Sequence, residues 1–424
     1  MRTKLKMVLT WKEGCTLSIS AVIGCGILVL PTLTAQQAGP ASLLVWLVIS
    51  LLSFPIVFVL SKLAAKIPKA GGISSYAEIA FGPQSGMITS WILMGSIPIG
   101  VPAVALSGAY YFSYIVPLSF TQLIMIASIM LFFSIFLNIQ GINLSSKIST
   151  SIVTLIILIL FIVVLSSIPH VRLNNFIPFA PYDNASILSL FPLIFFAYAG
   201  FELICPLAEE FKNPVHDIPI SLFLSALFIT FLYLSISWVT IGTNIYNEPN
   251  SITALSSLIA LSFGKTSGSI IAILTILITF CSIHANIAGF SRIIYHEARD
   301  GEFPQILAQL HPKHKTPINA LLALGSAFAF VLCSFTFFIP DLNQLLKFPG
   351  SVFLFSYVIS MAAGIKLLDK RSIGWVCACV TFCICSLLFL SSGLICLFPV
   401  ILGLLGFCYL KIKSRFNVIK QPTS

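Results

Sequence analysis

Two hydrophobic stretches with glycine at an inner position decide the fold: AVIGCGILVLP at residues 21–31 and FFAYAGFEL at residues 195–203. Each lies in a segment long enough to cross a lipid bilayer. A broken membrane helix leaves backbone N–H and C=O groups without partners, which is tolerated only where the break lines a cavity or is buried in protein. A pair of breaks, one in each half of a repeated chain, is typical of the binding site of a membrane transporter.

The composition is that of an all-α membrane protein. The chain is 58% hydrophobic and 8% charged, whereas soluble domains carry about 25% charged residues. Little chain is left between the apolar segments, so no separate soluble domain is expected. Glu13 and the absence of a small-residue cleavage site argue against a cleavable signal peptide. Hydropathy predicts twelve transmembrane helices, near residues 13–35, 41–61, 86–116, 119–138, 149–168, 186–208, 220–243, 268–291, 318–338, 349–368, 373–391 and 393–412.

The basic residues are distributed unequally between the two sides of these spans. The net charge is +10, and 20 of the 23 lysines and arginines fall in segments on the side of the amino terminus. The other side holds only Arg172, Lys265 and Lys347. This positive-inside bias predicts a multi-pass protein of the cell (inner) membrane with both termini cytoplasmic. The lipid bilayer, and not nucleic acid, is therefore the partner that the positive charge indicates.

The cysteines give no indication of a disulfide or a metal site. Most of the eleven lie within predicted spans. Cys377-x-Cys379 and Cys383-x-Cys385 have a spacing seen in metal sites, but no His, Asp or Glu lies nearby in the sequence. We interpret them as small packing residues, and no metal or cofactor is predicted.

The spans can be divided into two halves of five and two additional C-terminal spans. Spans one to five and six to ten each open with a broken helix, which predicts a transport core over residues 1–368. Residues 369–424 would hold helices 11 and 12 and a cytoplasmic tail, for packing or a homodimer. Residues 67–83 indicate a short cytoplasmic helix, Asn213-Pro214 indicates a helix start, and residues 291–318 form the longest predicted loop. The third span contains Pro98 and Pro102, which either bend it for packing or form a cavity wall.

Five of these segments, at residues 24–31, 68–82, 199–202, 210–214 and 291–301, resemble the amino acid–polyamine–organocation transporter superfamily in order and spacing. Residues 97–103 and 208–214 are similar to its bacterial branch of methionine and branched-chain amino acid exporters. The resemblance implies a LeuT-type 5+5 inverted repeat with broken helices 1 and 6, alternating access, and a small-molecule amino acid substrate. Two features depart from some members of the family. Cys25 stands where they have serine, and the fifth span lacks a deep lysine, since Lys147 lies at its mouth.

The first break is the predicted site for a substrate carboxylate. A helix that restarts at Gly24–Gly26 presents N–H groups without intrahelical partners and the positive end of its dipole. Glycine also permits unusual backbone angles and a close approach. The alternative is a Gly-x-Gly face for helix packing. The predicted carboxylate-binding residues are Ile23, Gly24, Cys25, Gly26 and Ile27.

The second break is the predicted site for the substrate ammonium, which free carbonyl groups of residues 196–199 would receive. For Tyr198 and Phe201, ordinary packing is an equal alternative. No other charge is expected in the pocket, which favours a small apolar or thioether side chain. The predicted residues of the amino-group and side-chain pocket are Leu93, Ile97, Phe196, Ala197, Tyr198, Ala199, Gly200 and Phe201.

Glu202 is the one acidic residue deep in a predicted span, and it is the candidate for proton coupling. Charge at the bilayer centre is costly, and burial favours the neutral form of a carboxyl group. The alternative is a structural carboxylate that accepts hydrogen bonds from the unwound backbone. His284 in the eighth span is the second candidate, with a structural role as its alternative.

The resemblance therefore predicts a secondary active transporter of neutral, apolar amino acids: methionine, leucine, isoleucine and valine. Export driven by the proton gradient is expected, and an importer or an amino acid/amine exchanger is the alternative. A membrane sensor is the competitor from another class. The spans lack the paired aspartates, Ser/His arrangement or His-Glu-x-x-His of intramembrane proteases, so no enzymatic activity is expected.

Overall fold

The computed structural model describes residues 9–23, 25–69, 71–141, 146–248, 251–299, 301–337 and 341–419. Within these ranges the protein is all-helical, and the one β-type contact is an isolated parallel bridge between Leu9 and Phe211. The α-helices are α1 (Trp11–Val22), α2 (Cys25–Ala38), α3 (Ser42–Lys66), α4 (Ile73–Phe81), α5 (Pro83–Gly95), α6 (Ile97–Ser113), α7 (Phe120–Ile139), α8 (Ser146–Ser167), α9 (Asn184–Leu188), α10 (Leu190–Tyr198), α11 (Pro214–Gly242), α12 (Ala254–Phe263), α13 (Lys265–Arg299), α14 (Ile318–Phe337), α15 (Leu342–Leu367), α16 (Ile373–Ser391) and α17 (Leu397–Ile419).

Ten helical stretches of the described chain are long and apolar enough to cross a membrane. The longest, Gly26–Lys66, has 41 residues and contains both α2 and α3, joined by the 3-10 turn Gly39–Ala41. These stretches confirm an all-helical, multi-pass membrane protein. The count of twelve spans, the inverted repeat and the boundary at residue 368 stay predictions.

Several local predictions agree with the structure. The polar link at residues 67–83 contains a short helix, α4, and α11 begins at Pro214 as the Asn213-Pro214 pair predicts. The third predicted span is divided: α5 ends at Gly95, and α6 begins at Ile97. Pro98 therefore lies in the first turn of α6, where proline is tolerated.

One local prediction was wrong, and one helix was not anticipated. The loop expected from residue 291 starts later, because α13 continues as a helix to Arg299 and carries its polar end beyond the apolar segment. A short apolar helix, α12, lies between the predicted spans 220–243 and 268–291, in a connection about which no prediction was made. The loop prediction failed because hydropathy marks where a helix is apolar and not where it ends.

The interrupted helices lie at the centre of the bundle. α10 packs against α2, α3 and α15, and α11 packs against α1, α2 and α3. The last two helices lie outside this group, with α16 against α3 and α15, and α17 against α5 and α15. The breaks between α1 and α2 and after α10 are therefore enclosed by other helices, as unpaired backbone in a membrane requires.

Candidate functional site

One large cavity reaches both helix breaks. Its volume is about 580 Å³, and its wall includes Ala21, Val22 and Gly26 from the first break and Ala199 and Gly200 from the second. The cavity continues along α5 and α13 to the end of the molecule that carries α4, where its wall residues Gly71, Glu78 and Pro83 are exposed. The cavity thus connects solvent at that end with the two breaks.

The first break comes between Val22, the last residue of α1, and Cys25, the first of α2. Gly24 and the Cys25 side chain lie outside the described part of the chain. Gly26 lies within α2, so the expectation that it has unusual backbone angles was wrong. The reason for glycine there is a close approach, because an added Cβ would lie 2.8 Å from the Ala197 Cα atom of α10.

The second break follows Tyr198, and the chain continues as a 3-10 helix over Phe201–Glu210. Gly200 has a φ of +132°, which L side chains rarely adopt. An added Cβ at Gly200 would lie 2.8 Å from the carbonyl carbon and oxygen of Ala21 and 2.9 Å from the Val22 nitrogen. The two breaks are therefore in direct backbone contact, and glycine is required on the α10 side by both its conformation and its surroundings.

Tyrosine hydroxyl groups donate hydrogen bonds to backbone carbonyl groups that were expected to be free. The Tyr233 hydroxyl of α11 lies 2.9 Å from the Ala197 carbonyl oxygen and 3.1 Å from that of Val22. The Tyr357 hydroxyl of α15 lies 3.3 Å from the Tyr198 carbonyl oxygen. The prediction that all the carbonyls of residues 196–199 are available to an ammonium is corrected. The Ala199 carbonyl oxygen accepts no hydrogen bond from the described residues, and Ala199 lines the cavity.

The Glu202 side chain accepts a backbone hydrogen bond at the second break. Its carboxylate accepts the Gly200 backbone N–H at 2.9 and 3.0 Å, and the Tyr357 hydroxyl donates to its Oε2 atom at 2.7 Å. Glu202 is 7% exposed and also lines the cavity. The carboxylate therefore satisfies an N–H group that the break frees and is reachable from the cavity, so its two expected roles are compatible.

The predicted pocket residues fall into two groups. Leu93, Ile97, Phe196, Ala199 and Gly200 line the cavity together with Gly26. The others are buried in the packing around it and do not line it: Ile23, Ile27, Ala197, Tyr198 and Phe201. The Tyr198 hydroxyl is engaged with Ser50 of α3, and its ring packs at an edge against Tyr233. These five residues hold the breaks in place and do not form the cavity surface.

His284 lies away from the cavity. It is 3% exposed, and its Nδ1 atom lies 3.0 Å from the Asn138 amide nitrogen and 3.3 Å from the Ser134 hydroxyl, both in α7. Its neighbours Ser282 and Asn286 lie on the face of α13 that lines the cavity. The contacts of His284 connect α13 to α7, so the geometry favours the structural alternative for this residue.

Sequence reasoning missed much of the cavity wall. Pro349 and Phe353 of α15 form part of it, and three further carboxylates do so as well: Glu78, Glu297 and Glu302. The expectation that the pocket holds no other charge is therefore corrected. Among the described residues of the wall, four are glutamates and none is lysine or arginine. The Ser90 hydroxyl donates to Glu297 at 3.3 Å, a contact that the unexpected length of α13 makes possible.

Metal binding has no donor set in the described chain. No group of three or more His, Cys, Asp or Glu side chains in the ranges that the structure covers could hold a metal ion. In α16, Cys385 is buried and Cys383 is exposed, so this pair lies on different faces of the helix.

Comparison of the sequence with known proteins places this chain in a family. The sequence profile of the amino acid permease family matches residues 9–416. The chain is 44% identical over 414 residues to the uncharacterized amino acid permease YecA of Bacillus subtilis, covering 98% of each chain. It is 29% identical over 372 residues to the L-methionine/branched-chain amino acid exporter YjeH of Escherichia coli, covering 87% of this chain and 88% of the relative. It is also 33% identical over 352 residues to cationic amino acid transporter 5 of Arabidopsis thaliana, covering 76% of this chain and 60% of the relative.

Proposed function

Because this chain belongs to the amino acid permease family, we propose that it is a secondary active transporter of neutral amino acids with apolar side chains. Methionine, leucine, isoleucine and valine are the proposed substrates, and the proton gradient drives their export by alternating access. The observation that carries the proposal is the contact of the two helix breaks at the inner end of a cavity of about 580 Å³. Cavities of this size accommodate small ligands.

The substrate carboxylate is proposed to bind at the start of α2. The first N–H groups of a helix have no intrahelical partner, and the dipole favours negative charge there. Gly26 lines the cavity in the first turn of α2, so the backbone of this turn is accessible from the cavity. The proposed ammonium acceptor is the Ala199 carbonyl oxygen, which lies across the contact between the breaks.

The cavity wall next to the breaks suits an apolar side chain. Ile97 and Val101 of α6 and Phe196 of α10 form one part of this wall, and Phe353 of α15 faces Phe196 with ring centroids 6.4 Å apart. Burial of a thioether or branched aliphatic side chain against such a wall contributes about 1.5–3 kcal/mol. The relative from Escherichia coli, named as an exporter of L-methionine and branched-chain amino acids, supports the same substrates and direction.

A second candidate function is the transport of cationic amino acids. Glu78 and Glu302 line the cavity toward its exposed end, and carboxylates there would attract a positively charged substrate. The Arabidopsis thaliana relative is named as a cationic amino acid transporter. We favour neutral substrates because the aromatic and aliphatic wall, and not the carboxylates at the exposed end, lies beside the breaks.

Transport by purified protein in liposomes tests both candidates. Proteoliposomes loaded with labelled methionine, leucine or lysine would be placed in a pH gradient of either sign, with protein-free liposomes as the control. We expect efflux of methionine and leucine that depends on the gradient and stops when a protonophore collapses it. Preferred movement of lysine would support the cationic candidate instead. Movement of neither substrate above the control would contradict both.

A further inference from the structure

A second concave surface of the described chain lies on the outside of the bundle, away from the substrate cavity. It is an apolar groove of about 530 Å³ between α3 and α8, with α11 as its floor. Six of the residues that define it are Leu47, Phe161, Leu165, Phe231, Leu232 and Trp238. Phe161 and Phe231 face each other with ring centroids 6.2 Å apart. Most of these side chains are exposed, and a membrane-spanning surface of this kind is in contact with lipid.

The groove lies at one membrane face. Its residues come from the first two turns of α3 and from the carboxyl-terminal halves of α8 and α11. Ile168, directly after α8, and Trp238, four residues before the end of α11, lie at the same end of the groove. Tryptophan is enriched at the level of lipid headgroups, so this end is expected to lie at the interface.

The backbone of a cationic residue, Arg172, is anchored at that same end. The Arg172 backbone N–H donates to the Gly242 carbonyl oxygen at 2.9 Å, and the Asn175 side-chain amide donates to the same oxygen at 2.6 Å. Phe176 stacks on Trp238 with ring centroids 6.3 Å apart. Since Gly242 follows Trp238 by four residues, about 6 Å of helix rise separates the anchored Arg172 backbone from the tryptophan. The Arg172 side chain is exposed and so is available to a headgroup.

We propose that this groove is a binding site for one anionic phospholipid, with an acyl chain along α11 and the phosphate on Arg172. The apolar walls match the chain, and a guanidinium is well suited to phosphate oxygens. Leu232 and Leu234 on the groove side of α11 flank Tyr233, whose hydroxyl contacts the carbonyls of both helix breaks. The bound lipid therefore packs against the helix that positions the substrate site.

Quenching of Trp238 by brominated lipid tests the proposal on the intact purified protein. The protein would be reconstituted in phosphatidylcholine bilayers that contain small fractions of phosphatidylglycerol brominated on its acyl chain. The difference in quenching between wild type and Trp238→Phe isolates the signal of this tryptophan. We expect Trp238 to be quenched well above the level set by the mole fraction of the brominated lipid, and brominated phosphatidylcholine to show no such excess.

Two variants separate the site from general surface charge. Arg172→Gln should weaken the phosphatidylglycerol effect about fivefold, the equivalent of the roughly 1 kcal/mol that one basic residue contributes near an anionic lipid surface. Lys265→Gln, which removes another cation predicted on the same side, should leave it unchanged. Ser235→Phe, which fills the groove, should abolish the excess quenching.

Three results would overturn the proposal. Quenching that follows mole fraction for both lipids would mean that the groove holds only exchanging bilayer lipid. Equal losses in Arg172→Gln and Lys265→Gln would mean general attraction to positive charge. Competition by millimolar inorganic phosphate, with no effect of Ser235→Phe, would mean that a phosphate ion and not a lipid is bound.

Discussion

The contact between the two helix breaks can be tested by adding one methyl group at Gly200. Gly200→Ala places a Cβ 2.8 Å from the Ala21 carbonyl group in a residue whose φ is +132°. Backbone strain of this kind costs about 1–3 kcal/mol, and overpacking costs about 1–3 kcal/mol more. The expected destabilisation is therefore roughly 2–6 kcal/mol. We also expect transport to be lost, because relief of the overlap must separate the two breaks.

Three other glycines form a matched set of controls. Gly26→Ala has the overlap with Ala197 but no positive φ, and Gly264→Ala has a φ of +80° with no atom within 4 Å of the added methyl group. Each should cost about 1–3 kcal/mol, but only Gly26→Ala should also reduce transport. Gly289→Ala in α13 has neither problem and should be neutral or slightly stabilising.

The assay is the apparent melting temperature of each purified variant, followed by intrinsic fluorescence, together with substrate efflux from proteoliposomes. The expected order of stability is Gly289→Ala above Gly26→Ala and Gly264→Ala, with Gly200→Ala lowest. If Gly200→Ala has the same melting temperature as Gly289→Ala and transports at the wild-type rate, the backbone contact between the breaks does not determine the geometry of the site. The reasoning from close approach then fails.

Three further predictions concern single side chains. Glu202→Gln should keep substrate binding, measured by scintillation proximity, and lose the pH dependence of transport; an unchanged pH response would make the carboxyl group structural only. Tyr233→Phe leaves two buried carbonyls without its hydroxyl and should lower stability by about 1–3 kcal/mol, measured as a melting temperature below that of the exposed control Tyr182→Phe. Hydrogen bonds from Thr10 lower the pKa of the exposed Glu13 carboxyl group below its ordinary 4.5. Glu13→Gln should therefore reduce the melting temperature at pH 7, and the difference from wild type should vanish as the pH falls through the lowered pKa; a constant difference would contradict this.

The sequence predicted the breaks because their cause is local. Glycine permits the backbone conformation and the close approach that a break between packed membrane helices needs, and the breaks after α1 and after α10 both occur in the quoted stretches. The hydroxyl groups that close them could not be predicted in this way. Tyr233 lies 36 residues after Ala197, and Tyr357 lies 155 residues after Glu202. Which tyrosine reaches a carbonyl depends on packing. The local sequence around a tyrosine in an apolar helix does not show whether its side chain faces lipid or a helix break.

The carboxylates of the cavity show a second limit of hydropathy. Glu297 lies beyond the apolar segment of α13, where the sequence predicted a loop, and continued helix carries it to Ser90 of α5. Glu78 belongs to the short helix α4, which was predicted, but its position at the cavity depends on how α4 packs against α5 and α15. Long-range packing therefore decides the charge of a cavity whose apolar lining the sequence described in part.

The hydrogen bonds of Glu202 allow a proton at this site to affect the helix break. The Tyr357 hydroxyl has one proton and two acceptors nearby, the Glu202 carboxylate at 2.7 Å and the Tyr198 carbonyl oxygen at 3.3 Å. With Glu202 ionised, the shorter and charge-assisted bond is favoured. With Glu202 protonated, its hydroxyl can donate to the Tyr357 oxygen, and the Tyr357 proton can turn to the carbonyl at the end of α10. Protonation in the proposed cycle would thus strengthen the hydrogen bond from the Tyr357 hydroxyl of α15 to the Tyr198 carbonyl of α10. It would also weaken the hydrogen bond from the Gly200 N–H to Glu202. Because Gly200 contacts the backbone of α1, a change at one carboxyl group reaches both breaks, as coupling of a proton to substrate movement requires.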